Sequence, residues 1–64
     1  MYDLLVYYGD DPRLRERHTV ERAGDVLTMI PKLLAAHEGC EHIVVMLGPR
    51  RLFAVDCKGN RIDD

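Results

Sequence analysis

The sequence predicts an α+β domain: an antiparallel four-stranded sheet in β-β-α-β-β order, with one helix packed on one face. Three observations predict it. Residues 24–39, GDVLTMIPKLLAAHEG, form the only segment with helical periodicity, with Val26, Ile30, Leu33, Leu34 and His37 at i, i+4, i+7, i+8 and i+11. The stretches on either side are runs of strand length, two before the helix and two after. Clusters of Gly, Asp, Pro and Asn separate the members of each pair, as hairpin connections require.

Tyr2 to Tyr8 reads as the first strand. Tyr2, Leu4, Val6 and Tyr8 share one face while Leu5 and Tyr7 share the other. Apolar residues on both faces suit a strand inside a sheet. The turn-rich GDDPRL follows, and Arg15 to Arg22 (RERHTVER) reads as a charged edge strand, whose charge discourages pairing with other chains.

Pro31 is the difficulty in the helix. With Asp25 as N-cap its ring clashes with the carbonyl of Leu27, at about 3 kcal/mol. With Thr28 as N-cap it falls in the first turn, where a missing N–H costs nothing. The expected regular helix therefore spans Met29 to Glu38, with Asp25 to Thr28 as a preceding turn or kinked extension and Gly39 as the terminator.

Glu41 to Leu47 (EHIVVML) is a β-branched strand. Gly48-Pro49-Arg50-Arg51 reads as a four-residue turn, and Leu52 to Cys57 returns antiparallel. Setting Leu47 opposite Leu52 pairs Met46 with Phe53 and Val44 with Val55 on the helix-covered face, and Val45 with Ala54 and Ile43 with Asp56 on the other. Lys58-Gly59-Asn60 is a second turn, near which Asp56 acts as a turn-stabilising group. It leads to Arg61-Ile62 and an acidic tail, Asp63-Asp64, expected to fray.

Placing the first strand beside the third gives the order 2-1-3-4. One helix covers one face of such a sheet, leaving Leu5, Tyr7, Ile43, Val45, Leu47, Leu52 and Ala54 as candidates for a second, uncovered apolar face. An apolar patch of that kind marks an interface, and a two-fold dimer is the commonest way to cover it. A charge at Val45 or Leu47 is then expected to separate the dimer without unfolding it.

Sixty-four residues make one domain, 1–64, near the size at which a single core only just suffices, so a partner, a metal or a disulfide is a common supplement. The net charge of -2 argues against a dedicated nucleic-acid binder. The N-terminal MYDLLVYYGDD has no basic leader and no long apolar run, so neither a secretory signal nor a membrane span is expected. Two cysteines then read as reduced thiols in a cytoplasmic protein rather than a disulfide.

His37, Cys40, His42 and Cys57 supply four soft ligands around the helix end and the later strands, a set zinc could use if they converged. Their spacing matches no standard zinc module, and each has an ordinary role available at a helix end, a small space or the surface. No cofactor is expected. Arg13, Arg15, Arg17 and Arg22 line the loop and second strand and could meet phosphates, with Tyr7 or Tyr8 to stack on bases, yet Asp10, Asp11, Glu16 and Glu21 interleave them. Neither a glycine-rich phosphate loop nor a paired-carboxylate motif is present, and a small-molecule substrate and an enzymatic activity are not expected.

This layout, a small acidic chain with two hairpins flanking one helix, is similar in general shape to several small phage- or mobile-element-encoded proteins, including some anti-CRISPR inhibitors and antitoxin-like modules. The resemblance implies a bacterial or phage setting and an inhibitor or regulator acting on a host protein, and assigns no residue a role. The residues themselves point first to a non-enzymatic interaction module that self-associates, and second to nucleic-acid binding through the Arg-rich strand.

Overall fold

A computed structural model describes residues 1–9, 11–39 and 42–62 of the chain. Its elements are β1 (Tyr2–Tyr8), β2 (Asp11–Val20), α1 (Ala23–Ala36), β3 (His42–Leu47), β4 (Arg50–Asp56) and β5 (Arg61–Ile62). All pairings are antiparallel and the sheet order is β2-β1-β3-β4-β5. The expected 2-1-3-4 arrangement is therefore present with a fifth, two-residue strand added at one edge. Asp56 makes that addition possible: Oδ1 accepts from the backbone N–H of Lys58 and of Asn60, both at 2.9 Å, and Gly59 turns the chain at φ +86°. Cys40, Glu41 and the tail Asp63–Asp64 lie outside the described residues.

The alternation of β1 holds as read. Leu4 and Val6 are fully buried beneath α1 with Ile43, Val45 and Val55, and Tyr2 and Tyr8 pack at the margins of the same layer. From above, α1 contributes Val26, Ile30 and Leu33.

The second hairpin departs from expectation. Gly48 takes φ +60°, and Leu47 stands opposite Arg50, so Gly48-Pro49 is a two-residue loop with glycine first, as a II′ turn requires, rather than part of a four-residue turn. The register then slips by one between Val45 and Met46, bringing Val45 opposite Phe53 and Ile43 opposite Val55. A single extra residue re-phases the strand and exchanges its faces. Ile43 and Val45, expected on the uncovered face, are thus the most buried residues of β3. Val44 and Met46, expected under the helix, face away from it.

The helix also starts earlier than expected. It begins at Ala23 behind Arg22, which provides no side-chain cap, and Pro31 lies inside it. Starting there keeps Val26 in the buried stripe, worth about 1.5–3 kcal/mol for such a side chain. That gain, with the added helical turn, offsets the roughly 3 kcal/mol cost of an internal proline. Pro31 sits on the exposed side of α1, where water can reach the carbonyl that its missing N–H leaves unpaired. The helix ends at Ala36, with the N–H of His37 donating to the carbonyl of Leu33 at 2.8 Å, before Gly39 takes φ +83°.

Candidate functional site

Because α1 lies on one side only, the other side of the sheet carries its own set of side chains. Leu5 and Tyr7 of β1, Val44 and Met46 of β3, Ala54 of β4 and Ile62 of β5 stand there in adjacent strands, aligned by the pairings Leu5–Val44, Val44–Ala54 and Ala54–Ile62. Ala54 is buried by its neighbours, and the other five are half-buried. Among the described residues no helix or strand packs over this face, and none of the six belongs to the core beneath α1.

Polar groups rim the face and are largely satisfied within it. The Thr19 hydroxyl donates to Oδ1 of Asp3 at 2.7 Å, and the Arg17 guanidinium meets Oδ2 at 3.5 Å. His42 stacks on Tyr7 with ring centroids 5.1 Å apart and planes 16° apart. Arg51 stands opposite Met46 and Asp56 opposite His42. Asp3 and Asp56 therefore balance Arg17 and Arg51. Backbone hydrogen bonds from Asn60 and then Lys58 hold the Asp56 carboxyl below the usual carboxylate range, so it stays ionised at neutral pH. An apolar centre inside a charge-balanced polar border has the anatomy of a protein interface.

No family model, curated protein or solved structure matches the chain.

Of the seven interface candidates, Leu5, Tyr7 and Ala54 do stand on the open face. Ile43 and Val45 do not, for the register reason given above. Leu52, at the slip, packs with Phe53 on the helix side, and Leu47 lies at the hairpin end opposite Tyr2. Sequence reasoning missed Val44, Met46 and Ile62. For the first two the Gly48-Pro49 turn was no signal, because it moves the partner of Leu47 by two residues and keeps the faces; the one-residue slip between Val45 and Met46 exchanges them, and nothing in the strand's own pattern marks it.

The four soft ligands are not gathered at one point. His42 is on the open face against Tyr7, His37 is on the helix side, Cys57 is exposed beyond β4, and Cys40 lies outside the described residues. Among the described residues no group of three His, Cys, Asp or Glu side chains is placed to hold a metal ion.

His37 instead ties the end of α1 to the sheet. Its Nε2 lies 2.9 Å from Oε2 of Glu16, and its Nδ1 lies 3.2 Å from the Tyr8 hydroxyl. A carboxylate only accepts, so in the neutral imidazole Nε2 carries the proton and Nδ1 accepts from Tyr8. His18 shares the same Glu16 oxygen. These two histidines hold the Glu16 carboxyl below its ordinary range. Sequence spacing gave no hint of this link, because it joins residues on three separate elements.

The arginines proposed for phosphate binding are mostly engaged. Arg13 meets Asp11 at 3.3 Å, and Arg15 meets it at 3.6 Å while lying 4.4 Å over the Tyr8 ring. Arg17 is held by Asp3, while Arg22 precedes α1, away from the other three in sequence. Exposed pairs of this kind are weak, about 0–1 kcal/mol, but they cancel the local charge that phosphate attraction needs. Among the described residues, no helix is long and apolar enough to cross a membrane.

Proposed function

We propose that the protein is a non-enzymatic interaction module that self-associates through the open face of its sheet. The observation that carries this reading is the row Leu5, Val44 and Ala54, continued by Tyr7, Met46 and Ile62, with no element of the described chain above it. Two such faces packed about 10 Å apart would form a sandwich with a second dry layer, a standard arrangement for sheets. The balanced rim of Asp3, Asp56, Arg17 and Arg51 lets like faces meet without net repulsion. A domain of 64 residues also has more to gain from a second core than a larger one does.

The test is the mass of the native chain in solution alongside the substitution Val44→Lys. The reading expects a dimer for the wild type and a folded monomer for the variant. A folded variant that still dimerises would place the contact elsewhere.

A further inference from the structure

The three tyrosines of the chain, Tyr2, Tyr7 and Tyr8, all stand in β1, and all are half-buried. Among the described residues, Tyr8 alone places its hydroxyl on an imidazole, with Oη 3.2 Å from Nδ1 of His37. Across that ring, Nε2 lies 2.9 Å from Oε2 of Glu16. A hydroxyl on a base that a third group orients is the arrangement that activates an oxygen nucleophile, and both distances are within hydrogen-bond reach. The His37 side chain is only 14% exposed, so the base is shielded, while that of Glu16 is 40% exposed and opens the cluster to the surface. Glu16 is ionised at neutral pH, and its charge stabilises the imidazolium that forms when Nδ1 takes a proton.

We propose that Tyr8 is a covalent modification site, an oxygen nucleophile that takes an acyl group from a thioester or aryl ester with His37 as its base. Oη attacks the carbonyl carbon, a new C–O bond forms, and the proton of Oη passes to Nδ1. The bond from the carbonyl carbon to the leaving group then breaks, and a thiolate or phenolate departs with the electron pair. His37 returns the proton to water, and the chain carries an O-acyl tyrosine. Such leaving groups depart without a proton, so one base suffices. The same point selects an acyl over a phosphoryl donor. Phosphoryl transfer relies on cations that hold the phosphate oxygens, whereas Arg15, which lies 4.4 Å over the Tyr8 ring, is already paired with Asp11, as is Arg13. The acyl group stays on Tyr8, so the step is stoichiometric and adds no turnover to an interaction module. Tyr8 and His37 lie on the helix side of the sheet, so the step does not depend on self-association through the open face.

The experiment treats the full chain with p-nitrophenyl acetate at neutral pH and follows acetylation of each tyrosine by peptide mass mapping. Tyr2 and Tyr7 are internal references, since they share the strand and the degree of burial. Tyr8 is expected to react at least about 100-fold faster than either, the low end of what a positioned general base supplies. Tyr8→Phe, which keeps the ring, is expected to lose this adduct and retain the wild-type circular dichroism spectrum. His37→Gln is expected to bring the Tyr8 rate down to that of Tyr7. The proposal is overturned if Tyr8 in the wild type reacts no faster than Tyr2 and Tyr7, a comparison that needs no variant to fold. It is equally overturned if a folded His37→Gln variant reacts at the wild-type rate, or if the acetyl group is found on His37 and not on Tyr8. In the last case the imidazole itself is the nucleophile.

Discussion

Tyr7 and His42 stack on the open side of the sheet, their rings 5.1 Å apart and 16° from parallel. Tyr7 and His42 are also direct Cα partners in the ladder, so the contact follows from the register. From that register the two faces of β3 acquire opposite roles: odd-numbered residues close the core and even-numbered ones form the outer surface.

A pair of neighbouring substitutions separates those roles. Val45→Asp places a charge in a fully buried site and is expected to abolish folding, because an unpaired buried charge costs several kcal/mol in a domain of marginal stability. Val44→Lys, one residue earlier on the half-buried outer face, is expected to retain the wild-type far-ultraviolet circular dichroism spectrum. The reverse outcome would mean that β3 is turned over.

Pro31→Ala tests the helix start. If α1 runs unbroken from Ala23, removing the internal proline restores a hydrogen bond to the Leu27 carbonyl and raises the unfolding free energy by up to about 3 kcal/mol. Urea denaturation reads the change. An unaltered midpoint would fit a helix beginning nearer Thr28, where proline is harmless.

The link between α1 and β2 makes stability depend on acid. Glu16 is held below its ordinary range by hydrogen bonds from His37 and His18, so its folded form binds protons less readily than its unfolded form. The sign follows: its contribution is present above the ordinary glutamate pKa of about 4.3 and is lost as pH falls through the lower folded value. Asp11 and Asp56 are shifted the same way and add to the loss. Glu16→Gln is expected to lose less stability between neutral pH and pH 3 than the wild type. Equal losses in urea melts at the two pH values would remove Glu16 from the account.

The fold was largely legible because periodicity reports elements well. The alternation of Tyr2, Leu4, Val6 and Tyr8 and the stripe of Val26, Ile30 and Leu33 both appear in the structure as read. Strand order followed from pairing the two central strands. The candidate site was less legible, since it depends on which face of β3 turns inward, and β3 is apolar on both faces. One residue of slip opposite Val45 decides that, and periodicity within a single strand carries no information about its partner's register. The helix start is not legible from Pro31, because the cost of an internal proline is local whereas the burial of Val26 that offsets it depends on tertiary packing.

Sedimentation equilibrium of the native chain tests the central claim most directly. The account predicts a mass of twice 7.4 kDa for the wild type and 7.4 kDa for a folded Val44→Lys variant. A wild-type mass of 7.4 kDa at every concentration up to the millimolar range would contradict it, and the open face would then not be a self-association surface.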